Sequence, residues 1–104
     1  MNRGQVWTLL RGSAQHRVLV ISNDEYNAVP ELAVWALTVV RETPHPHHLV
    51  VRLAPGDPLA GAFVRIHSVV QILDRTALKE SHGFVSHETM QTVERALREF
   101  LELP

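Results

Sequence analysis

The sequence predicts a mainly β, α+β fold: a small, partly closed antiparallel β-barrel that ends in a C-terminal α-helix. Several short runs rich in β-branched residues follow one another, and turn residues bound each run. Helical spacing of apolar residues begins only after Ser86. With 104 residues the chain can form one core, so we expect a single domain over residues 1–104.

The first two predicted strands are short and close together in the sequence. Residues 5–10 form the first strand, and the Gly-Ser pair at 12–13 ends it in a turn. Residues 18–21 form the second strand, because this β-branched run stops at a polar stretch. The connection over residues 22–31 is rich in polar residues and allows no more than one helical turn before its proline.

The third predicted strand, residues 32–40, is apolar on both faces and is therefore expected at the centre of the sheet, with Trp35 in the core. Two prolines make residues 43–48 a loop, since proline removes backbone donors. Residues 49–53 form the fourth strand. A turn rich in proline and glycine follows it.

Residues 63–72 form the fifth strand, on which alternation gives one apolar and one cationic face. Arg65 and His67 share the cationic face. A short closing strand at 77–80 follows, and His82 and His87 are expected to be exposed.

The closing segment is an amphipathic helix that packs on the sheet. Ser86 suits its N-cap position, because a serine hydroxyl accepts a hydrogen bond from the first helical turn. The apolar residues that recur at helical spacing are Met90, Val93, Leu97, Phe100 and Leu101.

Composition excludes several classes of protein. The net charge of −1 is not that of a polycation that coats duplex DNA. The chain has no cysteine, so it has no disulfide or thiolate metal site. It has no apolar run of about 20 residues and no N-terminal signal-peptide pattern, from which we expect a cytoplasmic protein.

Five segments, taken in order, resemble the MazF/PemK toxins of bacterial type II toxin–antitoxin systems. Their order and spacing carry the resemblance more than any single motif. They are Arg3-Gly4-Gln5-Val6-Trp7, Gly12-Ser13, the run from His16-Arg17 to Ser22, the run from Leu37 to Thr43, and Ile66-His67-Ser68.

The resemblance implies an SH3-like barrel of the CcdB–MazF type, a homodimer, and a metal-independent endoribonuclease that cuts single-stranded RNA and uses no cofactor. It also implies a cognate antitoxin that covers the RNA groove. Matched position by position, the essential arginine of the family is Arg17, its active-site threonine is Thr43, and the serine of its late strand is Ser68.

RNA cleavage without a metal ion needs a proton acceptor, a group that stabilises the phosphorane, and a proton donor. Arg17 suits the phosphorane, since a guanidinium binds two phosphate oxygens and stays charged. Thr43 can donate a hydrogen bond to phosphate but cannot act as the base. His16, next to Arg17, is the first candidate for base or acid, and His67 is the second.

The expected substrate-binding residues are Ser68, His67, Arg65 and Ser13. Three imidazoles at His45, His47 and His48 could in principle bind zinc or nickel. Their spacing does not suit one strand face and proline interrupts them, so we expect no metal site. A loop that contacts RNA phosphate or the antitoxin is favoured instead.

Two alternatives to a ribonuclease remain open at this stage. The related CcdB toxins share the fold but bind DNA gyrase without catalysis; in that case the helix end at residues 100–103 would carry the contact. The other alternative is a homologue that only dimerises and binds an antitoxin.

Overall fold

The computed structural model describes residues 1–42 and 49–104, and within these ranges six strands and two α-helices form the fold. The strands are β1 Gln5–Arg11, β2 Ala14–Val20, β3 Val34–Val40, β4 Val50–Arg52, β5 Phe63–Ile72 and β6 Leu78–Phe84. The helices are α1 Asp24–Asn27 and α2 His87–Leu101, and a 3₁₀ turn, Arg75–Ala77, precedes β6.

All six strands belong to one antiparallel sheet in the order β4-β5-β3-β2-β1-β6. The predicted mainly β fold with a C-terminal helix is confirmed. In the described ranges β4 and β6 are the edges of this sheet.

Three strands differ from the prediction by two or more residues at one end. β2 begins at Ala14 rather than at residue 18, because Arg11 pairs with Ala14 across a two-residue hairpin. Gly12 has a φ of 60°, which suits such a tight turn. β3 begins at residue 34 rather than 32, and β6 extends to residue 84 rather than 80.

Two clusters of buried side chains form the core. The first lies between the sheet and α2, and it includes Val6, Leu19, Leu37, Val64, Ile66 and Val93. The second lies on the other sheet face, and it includes Leu9, Val18, Val20, Val34, Ala36, Ile72 and Leu78. Alternation along each strand therefore sends neighbouring residues into different clusters.

β5 contributes to both clusters because its pairing with β3 changes register. Leu37 pairs with Val69, and Val39 pairs with Val64. Between these two pairs, β3 has one residue, Thr38, whereas β5 has four, residues 65–68. Such an irregularity bends a strand.

The prediction that Trp35 lies in the core is wrong, because its side chain is 45% exposed. Trp35 lies two residues before Leu37 on the same face, and α2 contacts β4 and β5 further along the sheet. This end of the face is therefore open.

Ser86 is the N-cap of α2 as predicted: its Oγ accepts a hydrogen bond of 3.1 Å from the backbone N–H of Thr89.

No helix in the described ranges is long and apolar enough to cross a membrane. The predicted loop, with Thr43 and the three histidines at 45, 47 and 48, lies outside the described residues. Elsewhere in the chain, the described side chains form no cluster of three or more potential metal ligands.

Candidate active site

A cavity of about 450 Å³ opens where the central strands of the sheet meet the segment before β5. Two guanidinium groups and one imidazole share it with aliphatic side chains. Its lining residues are Arg17, Val39, Val40, Arg41, Leu59, Ala62 and His82. An anion with an apolar body, such as a nucleotide, has the chemistry that suits this lining.

Strand alternation brings Arg17 into this cavity. On β2, Arg17 lies two residues before the buried Leu19 and therefore on the same sheet face, which is the face covered by α2 further along. Its cross-strand partners are Thr8 on β1 and Val39 on β3. The apolar core thus ends at Arg17, and the half-buried side chain lines the opening.

His82 reaches the same cavity through an irregularity in β6. Val6 pairs with Gly83 and Trp7 with Ser81, so His82 is an extra residue between two consecutive pairs. A β-bulge of this kind redirects a side chain. The half-buried imidazole lies with its Nε2 atom 2.7 Å from Oγ1 of Thr8.

Arg17, Thr8 and His82 therefore occupy three adjacent strands. Thr8 is the direct partner of Arg17 in the ladder and only 6% exposed, and its hydroxyl contacts the imidazole. Leu59 completes a wall of the cavity with a φ of 55°, an unusual backbone conformation for leucine.

His16, the first candidate for base or acid, lies away from the cavity that Arg17 lines. It pairs with Leu9, whose side chain belongs to the second cluster, so it lies on the sheet face opposite Arg17. Residues 16 and 17 both belong to strand β2, so their side chains point to opposite faces of the sheet. His16 is exposed and does not line the cavity.

The four predicted substrate-binding residues do not line the cavity either. Arg65 and His67 alternate with the buried Val64 and thus point away from the Arg17 face, with Nη2 of Arg65 3.2 Å from Nε2 of His67. Ser68 is half-buried on β5, and Ser13 is exposed at the tip of the β1–β2 hairpin. Thr43 lies outside the described residues.

Sequence reasoning missed Thr8 and His82. Thr8 gave no signal, because a threonine in a strand is ordinary. For His82 a signal exists: Gly83 follows it, and a glycine within a strand pattern suggests a bulge. Gly83 has a φ of 102°, a conformation that glycine adopts readily.

Several solved structures are similar to this chain over its full length. An endoribonuclease from a mycobacterial species, in complex with its cognate antitoxin, is 28% identical with a TM-score of 0.87, covering 100% of this chain and 97% of that one. A second mycobacterial endoribonuclease is 27% identical with a TM-score of 0.84, covering 100% and 93%.

A MazE–MazF structure from Deinococcus radiodurans shares the fold at 18% identity, with a TM-score of 0.85 over 100% of this chain and 97% of that one. Comparison with curated protein sequences gives no match. The family model described as "PemK-like, MazF-like toxin of type II toxin-antitoxin system" matches residues 2–101. The chain therefore belongs to the PemK-like, MazF-like toxins of type II toxin–antitoxin systems.

Proposed function

We propose that this toxin is an endoribonuclease that cleaves single-stranded RNA at the cavity around Arg17, without a metal ion. The observation that carries the proposal is that a half-buried guanidinium, Arg17, and an imidazole, His82, line one cavity. The two mycobacterial structures described as endoribonucleases, at 27% and 28% identity, support the same activity.

In the proposed reaction the 2′-oxygen of the RNA attacks the adjacent phosphorus while its proton goes to a base. The bond from phosphorus to the 5′-oxygen breaks, and that oxygen gains a proton. The products are a 2′,3′-cyclic phosphate and a 5′-hydroxyl. No oxidant, reductant or added water is needed for this step.

Arg17 stabilises the phosphorane. Its guanidinium donates to two non-bridging oxygens and remains charged throughout the reaction. A single positioned donor of this kind contributes about 3 kcal/mol of transition-state stabilisation. Arg41 adds a second positive charge at the cavity. Thr43, two residues further along the chain, remains a proposed donor to the phosphate because of the family resemblance.

The other predicted polar residues are assigned to binding the RNA on either side of the scissile phosphate. Arg65 and His67 form a pair on β5, and with Ser68 and Ser13 they are proposed contacts for flanking nucleotides. We assign no catalytic role to His16, because it lies on the opposite sheet face.

The proposed partners are a cognate antitoxin, which blocks the RNA groove, and a second copy of this toxin. A solved relative is in complex with its cognate antitoxin. The exposed apolar side chains of Trp35, Val69 and Leu73 favour coverage by another protein surface. Size-exclusion chromatography with light scattering is expected to give twice the chain mass, and a monomer at micromolar concentration would contradict the dimer.

We place this activity in the cytoplasm, where mRNA is translated.

The test is to incubate the purified toxin with a long mixed-sequence RNA in EDTA and to map the 5′ ends of the fragments. The wild type is expected to give discrete cuts, and Arg17→Ala is expected to lose them. Arg95→Ala, which removes an exposed arginine on α2, is the matched control and should cut like the wild type.

Intact RNA with folded wild-type protein would overturn the proposal. It would favour a toxin that acts by binding, for which the exposed Phe100, Leu101 and Leu103 at the end of α2 offer a contact surface. Cleavage that persists in Arg17→Ala would instead remove Arg17 from the mechanism.

A further inference from the structure

We propose that His82 is the general base of the cleavage reaction and that Thr8 is the residue that positions it. This inference rests on the proposed ribonuclease function and specifies which side chain receives the 2′-hydroxyl proton. In the described residues, His82 is the histidine that lines the Arg17 cavity.

The first argument is geometric. Nε2 of His82 is 2.7 Å from Oγ1 of Thr8, which fixes the orientation of the imidazole ring. Nδ1 is then the ring atom left to face a substrate. When Nε2 carries the hydrogen and donates it to the threonine hydroxyl, Nδ1 has a free lone pair and is the proton acceptor.

The second argument is the rigidity of Thr8. It lies in the middle of β1, between β2 and β6, and its backbone pairs with Arg17 on one side and Glu80 on the other. A β-branched side chain in a strand has few rotamers. Thr8 therefore sets the position of the imidazole relative to Arg17, as an orienting third group does for a catalytic base.

The third argument concerns charge. Arg17 and Arg41 are the charged groups that line the cavity with His82, and Glu80 is the nearest charged residue on its own strand. The cavity thus already carries two positive charges. The proposed base therefore lies beside two guanidinium groups that can bind the substrate phosphate.

His82 and solvent account for every proton in this step. The 2′-oxygen forms its bond to phosphorus as its proton moves to Nδ1 of His82. The leaving 5′-oxygen takes a proton from solvent, because His82 is engaged on the attacking side. The imidazolium then returns its proton to solvent, which restores the base.

The experiment compares wild type, His82→Gln, Thr8→Val and Thr8→Ser on one RNA with a single cleavage site. His82→Gln is expected to lower the cleavage rate roughly 100- to 10,000-fold, the usual contribution of a positioned base. Binding of the same RNA with 2′-deoxyribose at the cleaved position should change by less than about threefold, because only the proton transfer is removed. His87→Gln, an exposed histidine at the start of α2, is the matched control.

Two further readouts separate a base from a structural residue. The wild-type rate should fall at acid pH as imidazole becomes protonated, and His82→Gln should lose that dependence. Thr8→Val should lower the rate about tenfold and alter the pH profile, whereas Thr8→Ser, which keeps the hydroxyl, should restore both.

A substrate with sulfur in place of the 5′-oxygen tests the assignment to base rather than acid. Sulfur leaves without a proton, so loss of a general acid is rescued by this substrate and loss of a base is not. We expect no rescue of His82→Gln. Rescue, or a His82→Gln rate within about threefold of the wild type, would overturn the proposal. Failure of the wild type to cut any RNA would instead refute the ribonuclease function itself.

Discussion

The Oδ2 atom of Asp57 accepts a hydrogen bond of 2.6 Å from the hydroxyl of Thr89, which joins the segment between β4 and β5 to the first turn of α2. The same carboxylate accepts from the backbone N–H groups of Ser86, at 2.7 Å, and Ala54, at 2.8 Å. Asp57 is only 7% exposed. One buried carboxylate therefore fixes both the local turn and the position of the helix.

Replacement of Asp57 by asparagine should destabilise the fold. The amide removes the charge and places a donor against a donor, so the free energy of unfolding should fall by about 2 kcal/mol. In a domain of this size that corresponds to a lower Tm by about 10 °C. Thermal unfolding measures it, with Glu31→Gln, an exposed substitution, as the control. Equal Tm values for the two variants would contradict the structural role of Asp57.

Asp57 also predicts a pH dependence of stability. Burial by itself raises the pKa of this carboxyl, but hydrogen bonds from Thr89, Ser86 and Ala54 outweigh it and hold the pKa below its ordinary value of 3.8. The ionised form therefore stabilises the fold above pH 3.8, and that contribution is lost as the pH falls through the lowered value. The gap in unfolding free energy between wild type and Asp57→Asn should shrink below pH 3.8. Urea unfolding at several pH values measures it, and a gap that widens in acid would have the wrong sign.

Arg75 holds the α1–β3 connection through backbone carbonyls. Its guanidinium donates to the oxygens of Asn27, Val29, Pro30 and Leu32 at 2.8–3.0 Å. Lysine offers no planar fork to reach this arrangement, so Arg75→Lys should cost about 1 kcal/mol and Arg75→Ala about 2 kcal/mol of stability. Limited proteolysis should also become faster within residues 27–32. Arg95→Ala is the control, and an Arg75→Ala variant as stable as this control would show that the carbonyl contacts contribute nothing.

Gly83→Ala should disturb the bulge that directs His82. The φ of 102° is strained for any residue with a Cβ, and the strain should lower stability by about 1 kcal/mol. Because the bulge sets the direction of the imidazole, cleavage should fall further than stability explains. Gly56→Ala is the matched control, since an added Cβ there meets no atom within 4 Å and the backbone is not in the left-handed region. Cleavage rates are compared at a temperature where both variants are folded. Equal cleavage rates for Gly83→Ala and Gly56→Ala would show that the bulge does not affect cleavage.

Much of the fold could be predicted from the sequence, because alternation and turn residues report local structure directly. The strand over residues 63–72 and the helix that begins after Ser86 are where periodicity predicts them. Trp35 could not be placed in the same way. An apolar strand indicates burial only where another element covers it, and α2 covers a different part of the sheet.

The candidate site was less predictable, since it depends on contacts between distant strands. Family resemblance predicts Arg17 as a site residue, and the structure adds the cavity around it. His16 is next to Arg17 in the sequence, yet one position along a strand reverses the direction of the side chain. His82 is far from Arg17 in sequence, and only the sheet order and the bulge bring the two together.

That sheet order also sets the point in synthesis at which the cavity can be completed. Arg17 and Thr8 are translated early, whereas His82 belongs to the last strand and joins them only after β6 has paired with β1. A nascent chain that has not yet released β6 from the ribosome has an incomplete cavity. The strand that completes the cavity is thus among the last parts of the chain to leave the ribosome.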